Sequence, residues 1–176
     1  MKQTKKVTTM IICVFALLLS GNVMAQKFAN LDKSPLDISY YRTSRNATPM
    51  VKVIYSRPQL KGRDLSQLAP NGKVWRTGAN EASEIKFYQD IQFGGETVKA
   101  GTYSLYTIPG ENEWTIILSK DTDVWGAYGY KETNDALRIK VPVSSGESIE
   151  AFSIAFDDGK MVLAWDTVRV SIPVSI

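Results

Sequence analysis

The chain has 176 residues, with 21 Lys and Arg against 18 Asp and Glu, a formal net charge of +3, one Cys and no His. Without His, a Ser-His-Asp or Cys-His nucleophile is excluded, and so is histidine acid–base chemistry near neutral pH. Zinc and copper sites rest on His and Cys ligands, of which the chain offers a single Cys, so neither a metal nor a cofactor is expected.

The first element is a leader. Met1-Lys2-Gln3-Thr4-Lys5-Lys6 is basic, and an apolar run from Met10 to Leu19 follows it. A run of about ten residues is too short for a membrane span of roughly 20. Val23-Met24-Ala25 then offers small or modest side chains where a signal peptidase reads. The pattern predicts a secretory signal peptide over 1–25, cut after Ala25. Cys13 lies inside the apolar run between Ile12 and Val14, which does not suit a lipidation site. Cleavage would remove Lys2, Lys5, Lys6 and Cys13, leaving 18 basic against 18 acidic residues and no thiol. The expected product is an exported, periplasmic or secreted, formally neutral chain with no disulfide and no membrane span. It lacks the basic footprint of a nucleic-acid binder.

About 150 residues remain, the size of one domain with a sizeable core. Residues 26–33 read as a flexible lead-in and 34–176 as a single β domain. Period-two alternation runs through Leu36-Ile38-Tyr40, Val51-Val53-Tyr55, Ile85-Phe87, Ile91-Phe93, Tyr103-Leu105-Thr107 and Trp114-Ile116-Leu118. It continues through Leu137 to Val143, Phe152 to Phe156, Met161 to Trp165 and Val168 to Val174. Such alternation marks half-buried strands. Gly94-Gly95 and Asp158-Gly159 stand between alternating runs as hairpin cues, and Ser145-Gly146 reads as another turn. Asp64 is placed to cap one helical turn over Leu65–Leu68. The fold class predicted is all-β: an antiparallel β-sandwich or jelly-roll-like domain of about ten short strands, with at most one or two short helical turns.

The least ordinary stretch lies between Tyr55 and Glu81. Arg57, Lys61, Arg63 and Arg76 are interleaved there with Trp75, Gly and Pro, and Asn80 and Glu81 follow. Guanidinium groups recognise carboxylate or phosphate bidentately, and an adjacent Trp offers a stacking face. The seven residues Arg57, Lys61, Arg63, Trp75, Arg76, Asn80 and Glu81 therefore form a candidate pocket for a small carbohydrate or anion. The bland alternative is a structural network, with Arg57 or Arg76 bridged to Glu81 or Asp64 and Trp75 in the core. Trp125-Gly126-Ala127-Tyr128-Gly129-Tyr130 reads either as an aromatic rim or, preferably, as core packing under a loop.

Three weaker motifs fail on context. Ser83 and Lys86 match a Ser-x-x-Lys nucleophile pattern, but in a strand they point to opposite faces. Asp121-Thr122-Asp123 begins like a calcium loop, yet Trp125 takes the next ligand position. Asn46-Ala47-Thr48 is a glycosylation sequon only in a source that glycosylates Asn.

At Ser56-Arg57-Pro58, Lys61-Gly62-Arg63 and Trp75-Arg76-Thr77-Gly78-Ala79-Asn80-Glu81-Ala82 the chain resembles a bacterial family named domain of unknown function 2911. The resemblance extends through Ala100 to Leu105, Ile108-Pro109, Glu113-Trp114, Trp125 to Tyr128 and Asp135. It implies an exported, single-domain, largely β protein of Gram-negative bacteria. The family has no assigned activity, so the resemblance gives no residue a role.

Three functions stay open. The first is a module binding a small carbohydrate or anion at the polar cluster. The second is a metal-independent carbohydrate-active enzyme, with Glu81 and a second carboxylate such as Asp64 held about 5–9.5 Å apart. The third is an interaction domain with no small-molecule site. A neutral charge, no His, and Arg with Trp on one stretch favour the first.

Overall fold

The computed structural model describes residues 26–176, so the leader lies outside the described residues. Gln26 to Leu31 carry no regular secondary structure and are exposed. Asp32–Ile176 form one compact unit.

Nine strands follow in chain order: β1 (Leu36–Tyr41), β2 (Val51–Ser56), β3 (Ser83–Phe87), β4 (Ile91–Phe93), β5 (Glu96–Val98), β6 (Gly101–Ile108), β7 (Glu113–Ser119), β8 (Asp135–Asp157) and β9 (Lys160–Ser175). One helical turn, α1 (Leu65–Leu68), and one 3-10 turn (Glu132–Asn134) complete the elements. The α1 turn begins where Asp64 predicts it, with the Asp64 amide donating to Gln67 Oε1 at 3.2 Å.

The strands form one antiparallel sheet in the order β1-β2-β3-β6-β7-β8-β9-β4-β5. The all-β antiparallel class read from the sequence is what the structure has. Its two layers are parts of one sheet folded onto its own apolar face. Tyr55 of β2 meets Phe152 of β8 with centroids 5.7 Å apart, although three strands separate β2 from β8 in the sheet order. Phe87 of β3 likewise meets Phe93 of β4 at 5.5 Å. Side chains on one pleat face, including Val51, Val53, Ile85, Leu105, Ile116, Leu118, Leu163 and Ile172, are buried between the layers. Each large side chain so buried contributes about 1.5–3 kcal/mol relative to exposure.

The strands are not all short. The runs at Leu137–Val143 and Phe152–Phe156 belong to one 23-residue strand, and those at Met161–Trp165 and Val168–Val174 to one of 16. Ser145-Gly146 is therefore an irregularity inside β8 rather than a turn between strands. The β8–β9 register shifts between Ser145 and Ile149 and again before Ser153. Arg169 holds the irregularity together. Its Nη1 donates to the carbonyls of Asp166 (3.0 Å) and Val168 (2.9 Å), and its Nη2 donates to that of Glu147. Carbonyls that a regular ladder would pair thus find a guanidinium instead, and pairing resumes beyond them.

Candidate functional site

The stretch from Tyr55 to Glu81 leaves the sheet at Ser56 and returns to it at Ser83. On the way out it pairs with the distal half of β8. Phe152 donates its amide to Pro58 O at 2.9 Å, Leu60 donates to Glu150 O at 3.0 Å, and Gln59 forms a bridge with Ala151. Lys61 and Gly62, with left-handed φ of 50° and 74°, turn the chain towards α1. Trp75 then pairs with Thr107 of β6 through amide–carbonyl bonds of 2.7 and 3.0 Å in the two directions. Backbone pairing at both ends of the excursion fixes where its side chains start.

Those side chains do three different things. Arg57 is fully engaged: Nε donates to Phe152 O (3.0 Å), Nη2 to Ser153 Oγ (2.7 Å) and Nη1 to Asp37 Oδ2 (3.1 Å). This is a structural tie between β1, β2 and β8, and its carboxylate is Asp37 rather than Glu81 or Asp64. Trp75 is in the core, 6% exposed. It stacks on Trp165 at 5.5 Å and meets Phe152 and Trp114 edge-on, so it offers no face to a ligand.

Lys61, Arg63 and Arg76 come together. With Lys33 they line an open cavity of about 420 Å³, completed by Ser34, Pro58, Gln59 and Leu68. No carboxylate is among the lining residues. Arg63 is held in place by its own loop, donating from Nε to Leu60 O (2.9 Å) and from Nη2 to Gln59 O (2.8 Å). Glu150 reaches this loop from outside the lining, its Oε1 accepting the Lys61 amide at 2.7 Å. Arg76 differs from the other two arginines: its Nε is buried and has no hydrogen-bond partner. A buried polar atom left unpaired costs about 1–3 kcal/mol, and more when it belongs to a charged group.

Lys33 and Ser34 escaped the sequence reading, which placed the first in the flexible lead-in. The tie that brings them over is Arg57 N–H to Pro35 O at 3.0 Å, a contact with no local sequence signal.

Asn80 and Glu81 lie elsewhere. Asn80, at φ 63°, accepts the Gly126 amide on its carbonyl at 3.1 Å, while Ala82 donates to Val124 O at 3.0 Å. These two bonds flank Glu81 and Trp125, making them a non-hydrogen-bonded pair whose side chains stand close on one face. Glu81 lines a second cavity of about 260 Å³, together with Glu84 and Asp123. Asp64 does not reach it. Among the described residues, no group of three or more Asp, Glu, Cys or His is placed to hold a metal ion.

The loop from Trp125 to Tyr130 divides between the two readings. Tyr130 packs with Val124 and Ala127 against Tyr106 and Ile117 in a small second core, as the core reading has it. Trp125 and Tyr128 do not: they are 62% and 87% exposed. Of the motifs set aside, Ser83 Oγ donates to Thr77 O at 2.7 Å and Lys86 lies over the Tyr88 ring, on opposite sides of β3. Among the described residues no helix is long and apolar enough to cross a membrane.

No curated protein and no solved structure matches the chain. Residues 35–174, which span all but the last residue of the nine-stranded sheet, match the family described as Protein of unknown function (DUF2911). The chain belongs to that family.

Proposed function

We propose that this protein is an exported binding module for a small anion, seated in the cavity of Lys33, Lys61, Arg63 and Arg76. Export is supported by the leader, whose basic, apolar and small-residue segments follow one another as a signal peptidase substrate requires. The anion is supported by one observation above the others. Arg76 lines, with three further cations, a cavity that has no lining carboxylate, and its buried Nε finds no acceptor in the protein. An oxyanion in the cavity balances these charges, as a neutral sugar would not. A cavity of about 420 Å³ falls within the ~300–1,000 Å³ of small-molecule sites. In the carbohydrate-enzyme alternative the second carboxylate beside Glu81 would be Glu84 or Asp123 rather than Asp64, in the cavity of about 260 Å³.

Thermal unfolding in the presence of neutral sugars, small carboxylates and small phosphates tests the reading. At a hundredfold excess over Kd a ligand stabilises by about 2.7 kcal/mol, which raises Tm by several degrees at this size. The expected result is a rise with an anion, weakened by salt and abolished in Arg76→Ala. A rise that survives Arg76→Ala puts the seat elsewhere.

A further inference from the structure

We infer that the anion is a phosphomonoester of a small polar molecule, bound through its doubly charged phosphate; this rests on the anion-binding reading. The three arginines of the stretch differ in which nitrogens remain available. Arg57 has all three engaged by protein acceptors. Arg63 has Nε and Nη2 engaged, so the edge through which a guanidinium grips two oxygens side-on is closed. Arg76 has its Nε buried and unpaired, so what it can offer a ligand in the cavity is its terminal Nη pair, which can grip two oxygens end-on.

Charge then selects among oxyanions. Arg76, Arg63, Lys61 and Lys33 place four positive charges around the cavity with no lining carboxylate. A monocarboxylate offsets one of these charges and a phosphate dianion two. Rigid placement of Arg63 by the Leu60 and Gln59 carbonyls leaves its Nη1 for a third oxygen, which phosphate has and carboxylate lacks. Size argues for an ester rather than the bare ion. At about 420 Å³ the cavity is many times the ~30 Å³ share of one water. Beyond the cations its walls are Ser34 and Gln59, which suit hydroxyls, and Pro58 and Leu68, which suit the carbon skeleton between them.

Titration calorimetry on the chain from residue 26, at low salt, separates the possibilities with glucose 6-phosphate, glucuronate, inorganic phosphate and glucose. At pH 7.5 glucose 6-phosphate should bind at least tenfold more tightly than glucuronate or inorganic phosphate, and glucose should not bind. Phosphate loses its second charge near pH 6. The chain has no His, so the ligand is the one partner with an ordinary pKa in that region. At pH 5 the preference over glucuronate should fall to threefold or less. Arg76→Gln should abolish binding. Lys61→Gln, a change at an exposed turn, should weaken it severalfold and reduce its salt dependence. Equal, pH-independent binding of ester and glucuronate that still requires Arg76 would overturn the phosphate and leave the anion reading standing. Inorganic phosphate binding as tightly as the ester would overturn the ester. Failure of every anion to bind, or binding unchanged in both variants, would bring down both.

Discussion

Arg57 and Arg76 lie on one stretch of chain, and only the fold tells them apart. Arg57 ties β1 and the end of β2 to β8 through one carboxylate, one hydroxyl and one carbonyl. Its pair with Asp37 is 34% exposed on the Arg57 side and 41% on the other, so that contact is worth little, and the two bonds to β8 carry most of the effect. Arg57→Lys keeps the charge but cannot span both Phe152 O and Ser153 Oγ, and should destabilise by about 1–2 kcal/mol in urea unfolding. Asp37→Asn should cost under about 1 kcal/mol. Equal costs would mean that the ion pair, not the reach to β8, is what matters. The residue types of this cluster were readable because Arg, Lys and Trp are conspicuous in a turn-rich segment. Their partners were not. Ser153 and Phe152 lie 96 and 95 positions away from Arg57, and nothing local distinguishes an arginine that will meet them from one that will face a cavity.

Among the elements, the β4–β5 hairpin shows how a turn is fixed by what lies beneath it. Gly94 and Gly95 both have positive φ, 63° and 90°, and the Gly94 amide donates to Pro173 O of β9 at 2.8 Å. A Cβ at Gly94 would overlap Ile139 Cδ1 of β8, whereas one at Gly95 would meet nothing within 4 Å. Gly95→Ala should therefore cost about 1 kcal/mol, the left-handed penalty alone. Gly94→Ala should cost about 1 kcal/mol more, because the Ile139 terminal methyl must also rotate away. Equal urea midpoints for the two variants would remove the steric part of this account. The hairpin was legible from its glycine pair. β5 itself was not, since of Glu96, Thr97 and Val98 only the last is apolar and buried, so the segment lacks the apolar–polar–apolar pattern that marks β4. The merging of four runs into β8 and β9 was hidden for a related reason. Ser145-Gly146 has the composition of a turn, and only Arg169, more than twenty residues on, makes it an irregularity within a strand.

Over the whole molecule, closure of one sheet onto its own apolar face rests on rings that no periodicity relates, such as Trp75 on Trp165 and Tyr55 on Phe152. Alternation says which side chains turn inward but not which of them meet. The same closure sets how stability responds to pH. Tyr55, Tyr106 and Tyr130 all have raised pKa values, burial being the largest cause in each, and Tyr130 is pushed up to about 12. For Tyr130 the bond to Asp135 and its charge add to burial, and Arg138 offsets part of the effect. A phenol whose folded pKa exceeds its unfolded value of about 10 holds its proton more tightly when folded. Its contribution is therefore complete below pH 10 and lost as pH rises through the folded value. Lys99, raised chiefly by its hydrogen bond to Asp90, acts in the same direction. Asp90 acts in the opposite one. Lowered chiefly by that same bond, it contributes above the ordinary carboxylate range and loses that contribution as pH falls through its folded value. No histidine lies between these limits. The urea midpoint of the chain from residue 26 should thus be level from about pH 5 to 9 and fall above pH 10. Tyr130→Phe should make that alkaline fall shallower. A step between pH 6 and 7.5, or an alkaline limb unchanged in Tyr130→Phe, would mean that the buried phenols are not what sets the upper limit.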